Sequence, residues 1–492
     1  MSSLIIPFEL PLPQLLPTIE GNVDYRTFRD QLLQIDQALV HSGLEDQYIQ
    51  ADLERWLKNQ KQRVSPKAQQ HRQRHSRRAL RCNLARMMLQ ENYRGFAARL
   101  ADSPLLQFFC GISEVDRVRV PGKSDLQRYA TWWTEEEVRQ LSGQLLRTGA
   151  EQPQKLQLPE ALDLERCFID TTCVAANIHY PVDWILLRDA TRTLMKALAL
   201  IRGQGLKRRM EAPETFLTRM NRLCIEMTHT KVKQDGQRQR KTTLRKMDKL
   251  VGTVAAHARR YRKLLDEDWA KTEWTRPQAE QVLRRIEQVL EQLPKARQQA
   301  RERIISGRLV DNQDKILSLY EPDVRVIVRK KAGAEVEFGN TLLLGENPQG
   351  FILDVELFKE TAPADVRLLR RSVERMKATF GPVLKELGAD RGFHSRANQE
   401  LLGGLGIYDG VCPRPPQELK ERGRSWKFKK LQRRRSQTEG RVAILKNVFV
   451  GQPTRSKGFK NRALTVMWAV VTHNLWVMAR MTLAARAKAL AA

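Results

Sequence analysis

Two aspartates stand where an apolar run gives way to turn residues, CFID-TT around Asp170 and LGAD-RG around Asp390. Carboxylates at strand ends face the rim of a sheet, where ligands and metal ions usually bind. Taken singly, each is read more readily as turn or cap chemistry. A third acid sharpens the pattern. Arg435, Glu439 and Lys446 fall at i−4, i and i+7 of one expected helix, within a roughly 40° sector. Glu439 is then one acid on a cationic face, and the plainer alternative is an i, i+4 ion pair on a solvated helix. Just upstream, Trp426 and Phe428 interleave with Lys427, Lys429, Lys430, Arg433 and Arg434, which suits base stacking beside phosphate contacts.

These residues need elements to hold them. A strand-like run over 164–169 ends at Asp170, and a helix follows from Asp183, its expected N-cap. Residues 205–305 read as helical and basic. Val282, Ile286, Val289 and Leu293 form a short coiled-coil-like seam that Pro294 is expected to end. Strand character returns at 324–328, 335–344 and 350–358, where Asp354 alternates with Ile352 and Glu356 and is expected to face solvent. Then come a helix over 364–379, a strand ending at Asp390, a helix over 396–402, a strand over 407–412, and helices over 435–446 and 464–488. This order predicts an α/β core of mixed sheet, flanked by helices and interrupted by a helical insertion. Ahead of it, residues 26–150 read as all-helical. Leu32, Leu33, Ile35, Leu39 and Val40 form an apolar stripe, a basic run spans 58–81, and Thr134 with Glu137 forms a capping box. Such a block fits a DNA-binding module or a helical scaffold for a dimer.

Bulk composition narrows the class. The chain has 492 residues, enough for roughly three domains. Its net charge of +30 favours a polyanionic partner, since each neutralised phosphate releases condensed counterions; a merely basic protein is the alternative. The six cysteines include no C-x-x-C pair, which argues against a disulfide framework or zinc finger and fits a reducing cytoplasm. The opening segment lacks the basic region and cleavage site of a secretory leader. The apolar stretch over 463–479 carries Thr472, His473 and Asn474 at its centre, so it is expected to be a buried core helix, not a membrane span. No G-x-x-x-x-G-K-[ST] loop occurs, GGLGIYDG reads as a glycine-rich turn, and no nucleotide cofactor is expected.

At this point three motifs resemble a family. FIDTTCVAANIHYPVDWILLRDATR resembles the first-aspartate motif of bacterial insertion-sequence transposases of the DDE class. LGADRGFHSRANQELL resembles their second-aspartate motif, and RSQTEGRVAILK their tyrosine–arginine–glutamate–lysine signature. The resemblance covers about 160–475, and GFAARLADSPLLQFFCGI resembles the family's N-terminal domain. It implies a ribonuclease H-like catalytic domain over 160–203 and 310–485, a helical basic insertion over 204–309, and a helical DNA-binding domain over 1–150. It implies Asp170, Asp390 and Glu439 as catalytic metal ligands, with Arg435 and Lys446 near DNA ends. The implied reaction is Mg²⁺-dependent cleavage at transposon ends followed by strand transfer into target DNA, by a homodimer on paired terminal repeats in the bacterial cytoplasm, associated with the nucleoid. Two Mg²⁺ ions roughly 3.5–4 Å apart, with Mn²⁺ as a substitute, activate the attacking oxygen and stabilise the leaving one. Two alternatives stand beside it: a metal-dependent nuclease without strand transfer, and a transposase-derived DNA-binding protein. This chain departs from the signature at Gln432, where the family has tyrosine, and in a long gap before the second aspartate. His179 and His394 are read as structural hydrogen-bonding residues, with His394 also near enough in sequence to approach a scissile phosphate. Asn177 and Asp183 are read as packing and capping residues.

Overall fold

The computed structural model describes residues 16–60, 64–114, 117–229, 235–331 and 334–491. The opening segment weighed above against a secretory leader lies outside them. Seven helices come first: α1 (Val23–His41), α2 (Leu44–Lys58), α3 (Pro66–Leu89), α4 (Tyr93–Asp102), α5 (Pro104–Cys110), α6 (Lys123–Thr131) and α7 (Glu135–Glu151). A two-stranded ribbon, β1 (Ser113–Glu114) with β2 (Arg117–Val118), separates α5 from α6. The boundaries follow local chemistry. Gly43 takes the left-handed backbone (φ +71°) that turns α1 into α2, and the Thr134–Glu137 capping box starts α7.

Six strands form one mixed sheet: β3 (Arg166–Ala175), β4 (Arg325–Lys331), β5 (Ala334–Glu346), β6 (Ile352–Leu357), β7 (Glu386–Ala389) and β8 (Tyr408–Val411). Their path is β4-β5-β3-β7-β8, with β6 also on β5. The pairs β3–β5, β4–β5 and β5–β6 are antiparallel, whereas β3–β7 and β7–β8 are parallel. One expectation is corrected: β3 does not end at Asp170. Thr171, Thr172 and Val174 are β-branched and favour the pleated backbone, so the strand runs on to Ala175 against β5.

Between β3 and β4 lies the insertion: α8 (Asp183–Gly203), α9 (Pro213–His229), α10 (Gly236–Asp268) and α11 (Arg276–Ala300). It has its own core, with Leu194, Met247, Val251, Ile286 and Val289 among the buried residues. Residues 183–203, grouped by sequence with the sheet, put their apolar face into this helical core. Val182, not Asp183, occupies the N-cap of α8; Asp183 is buried and accepts from Gln299 and Arg303. Pro294 lies inside α11 and does not end it. The helix persists because Arg297 on the next turn is held to Asp248 of α10, at 2.6 Å, and Arg301 pairs with the same carboxylate; this tertiary anchor outweighs the local cost of proline.

The remaining helices are α12 (Asp365–Phe380), α13 (Arg396–Gly404), α14 (Pro416–Arg422), α15 (Trp426–Arg435), α16 (Thr438–Ile444) and α17 (Phe459–Ala491). Most of α17 between Ala463 and Ala479 is buried, in one core with the N-terminal helices and the sheet. Its polar centre is partly satisfied: Asn474 accepts from the Ile352 N–H and donates to the Ile352 carbonyl, at 2.9 and 3.0 Å, and Thr472 donates to the Trp468 carbonyl, whereas the buried His473 Nε2 has no hydrogen-bond partner among the described residues. No described helix is long and apolar enough to cross a membrane.

Candidate functional site

The sheet register brings the two aspartates together. In the parallel β3–β7 ladder the last pair is Ile169 with Ala389, so Asp170 and Asp390 each follow by one residue. Neighbouring strands lie about 4.8 Å apart, which sets the two side by side although 220 positions separate them (390 − 170). Strand β7 stops there because Asp390 turns the chain: its Oδ1 accepts the Gly392 N–H at 2.8 Å and caps the short turn Arg391–Phe393. Asp170 stays in the strand, its Oδ1 accepting the Thr171 N–H at 2.7 Å.

Glu439 joins them from the first turn of α16. Asp170, Asp390, Glu439, Arg435 and Lys446 all line one cleft of about 700 Å³. Burial pushes the Asp170 carboxyl up to about 6; the charges of Asp390 and Glu439 add to the rise, while the Thr171 N–H and Arg435 oppose it. Lys446 donates to the Thr172 hydroxyl at 3.2 Å, and the Arg435 Nε is buried without a hydrogen-bond partner among the described residues. The single helix expected across 435–446 is broken. Helix α15 ends at Arg435, the Ser436 hydroxyl bonds back to the Arg433 carbonyl at 2.7 Å, and α16 restarts at Thr438. A serine that competes for backbone carbonyls favours such a break. The break detaches only Arg435 from the expected face: Glu439 and Lys446 stay on one helical run, because α16 continues directly into the wider turn Leu445–Val450.

A buried clamp fixes this break. Glu346 of β5 is fully buried and accepts from Arg434 at 2.8 Å and from the Thr438 hydroxyl at 2.9 Å. Arg434 also donates to the carbonyls of Pro348 and Asn347 and lies over the Phe168 ring. It therefore faces the protein, which removes it from the exposed phosphate-contacting set read from the sequence. Lys427 is exposed but pairs with Glu386 at 2.7 Å and lies over Tyr408. Lys429, Lys430 and Arg433 are exposed, as is Trp426, beneath the Lys430 ammonium. Gln432, at the signature's tyrosine position, donates to the carbonyls of Ala389 and Gly410 and ties the ends of β7 and β8.

Sequence reasoning missed two carboxylates. Asp365 and Glu337 also line the cleft, and the Thr171 hydroxyl donates to Asp365 at 3.2 Å. The one sequence signal for Asp365 was its place in the first turn of a helix; Glu337 carried none. Asp354, expected in solvent, is buried. Helix α12 covers that face and brings Ser372 and Arg375 onto it, at 2.6 and 2.7 Å. His394 meets Glu418 at 3.3 Å and Gln399 and does not line the cleft; His179 is exposed.

Five carboxylates and two cations line the cleft, a balance that suits a divalent cation. Among the described residues, no three His, Cys, Asp or Glu side chains converge on one point as metal ligands. The donor chemistry fits Mg²⁺ nonetheless, because Mg²⁺ takes hard oxygens and keeps several of its waters, so one or two carboxylates suffice for direct contact. Compared with known proteins, the chain matches no family model, no curated protein and no solved structure.

Proposed function

We propose that the chain is a DNA transposase of the DDE class, with a ribonuclease H-like catalytic domain that cleaves transposon ends and joins them to target DNA. One observation carries the reading: the parallel register of β3 and β7 puts Asp170 beside Asp390, and Glu439 lines the same cleft. A mixed sheet whose two aspartate-bearing strands are adjacent and parallel supports it, as do the three motifs in their order along the chain. Asp170, Asp390 and Glu439 would hold Mg²⁺, which when bound activates the attacking oxygen and offsets charge on the leaving one. Lys446, held at Thr172, places a cation beside the first aspartate for a phosphodiester drawn into the cleft. Lys429, Lys430, Arg433 and Trp426 offer duplex DNA an exposed, positively charged face with a stacking ring. The basic insertion adds charge: from Gly236 to Leu250 its one carboxylate is Asp248, which is already paired with Arg297 and Arg301.

The test incubates the purified chain with Mg²⁺ and paired duplexes bearing the element's ends, and resolves cleaved and joined products. Cleavage with joining supports the transposase; cleavage alone identifies a nuclease. Binding without either product, for a protein whose Asp170→Asn variant behaves identically, overturns the catalytic reading.

A further inference from the structure

A second cavity, sharing no lining residue with the carboxylate cleft, lies where α3, α4 and α6 meet the start of α17. Its volume is about 720 Å³, and Arg86, Arg128, Arg455 and Lys457 line it against one carboxylate, Glu91. Arg128 is matched by Asp125. Arg86 is not matched. Its guanidinium lies over the Tyr93 ring at 4.7 Å and donates to the Glu91 carbonyl at 3.4 Å. Its Nε is buried with no partner, and no carboxylate pairs with it among the described residues. Burial pushes its pKa down, opposed by Tyr93 and reinforced by the nearby charge of Arg455. Arg455 and Lys457 are exposed at the rim, with Arg455 donating to the Gln90 carbonyl at 3.2 Å. Trp468, almost fully buried, lines the same cavity with an indole N–H that has no acceptor among the described residues.

Arg86 is partly buried, and withdrawing a guanidinium from water without a counter-ion is costly, a cost that a bound anion would offset. We propose that this cavity is a phosphate-binding site in which Arg86 and Arg455 hold the oxyanion and Lys457 closes over it. A tetrahedral phosphate offers oxygens in several directions and accepts from all three cations at once, where a single carboxylate presents one planar edge. The cavity is larger than the anion alone requires, so it admits a phosphate carried on a nucleotide or a nucleic-acid chain as well as a free one.

The experiment follows the thermal midpoint of the full chain in phosphate-free buffer, titrated with inorganic phosphate and, separately, with sodium acetate. Phosphate is expected to raise the midpoint and saturate, with acetate far weaker. Arg455→Ala with Lys457→Ala, both at the exposed rim, is expected to weaken the phosphate response by about tenfold or more. Arg86→Met is expected to abolish the response while leaving the midpoint in phosphate-free buffer unchanged or higher, since an uncompensated charge has gone. A second arm repeats the phosphate titration with a short DNA duplex present: competition assigns the site to backbone phosphate, and an undisturbed phosphate response assigns it to a free phosphate. The proposal is overturned if inorganic phosphate leaves the wild-type midpoint unmoved, or if the rim double variant responds as the wild type does.

Discussion

Replacing Arg434 by methionine separates what holds the cleft from what touches DNA. Glu346 is fully buried and Arg434 only 15% exposed, so Arg434→Met leaves a buried carboxylate that keeps the Thr438 hydroxyl as a side-chain donor. Breaking one partner of a buried ion pair costs about 3–5 kcal/mol. The substitution also removes two hydrogen bonds to carbonyls, at Pro348 and Asn347, so the upper half of that range is expected. The double variant Arg434→Met/Glu346→Leu removes both charges, and apolar replacement of a buried pair is commonly near neutral; its denaturation midpoint should recover most of the loss. Cleavage should not recover, because Thr438 then has no carboxylate to donate to and Glu439 follows it directly. The assays are urea denaturation monitored by circular dichroism and Mg²⁺-dependent cleavage of an end duplex. A double variant that regains stability and also cleaves at the wild-type rate would refute the positioning argument. So would an Arg434→Met protein of unchanged stability, which would return Arg434 to the DNA-facing set.

Three further outcomes are expected. Under the proposed function, Asp170→Asn should abolish cleavage and leave end binding nearly intact, because it would remove a proposed metal ligand and not a phosphate contact; gel-shift and cleavage assays on one preparation check this. Neutralising Lys429, Lys430 and Arg433 together should weaken duplex binding and lower the log–log salt slope by about 0.9 for each phosphate no longer neutralised; an unchanged slope would show that these exposed charges only solvate the helix. Burial lowers the His473 pKa to about 4, so its neutral form contributes stability that is fully present above the unfolded value near 6.5 and is lost as pH falls toward 4, by about 3 kcal/mol. A His473→Phe variant should flatten that part of the acid denaturation profile.

Most elements were legible because their signals are local. The capping box at Thr134, the apolar runs before both aspartates and the stripe on α1 each act over a few residues. What was not legible depends on distant partners. Asp354 alternates as a solvent-facing strand residue does, and only the arrival of Arg375 from α12 makes its burial tolerable. Pro294 reads as a helix end until Asp248 grips the turns beyond it. Arg434 sits in a run of three arginines that the sequence treats alike; only the position of Glu346 on β5 selects the middle one for burial. At the cleft, Asp170, Asp390 and Glu439 were legible by type and motif. Their proximity was expected only through the resemblance, since it rests on a β3–β7 register that no local pattern encodes.

That register has to survive an insertion of four long helices between β3 and the strands that follow. The junction shows how it does. The chain leaves the sheet at Ala176 and returns at Val324, and these two residues pack together with Leu317 in a small core of their own. The Ala176 N–H donates to the Phe338 carbonyl of β5, and the Thr454 N–H donates to the Ala175 carbonyl, so the exit point is fixed from both sides. On the return side, Glu321 accepts from Arg462 of α17 at 2.6 Å, and the same guanidinium reaches Asn340 on β5. Because entry and exit are pinned close together and the inserted helices bury a separate core, the length between them scarcely affects the sheet: closing a long loop costs only logarithmically more than closing a short one. The large gap before the second aspartate therefore does not disturb the alignment of Asp170 with Asp390. For the register itself the length of the insertion matters little, whereas the packing of Ala176 with Val324 and the Arg462–Glu321 pair hold its two ends in place.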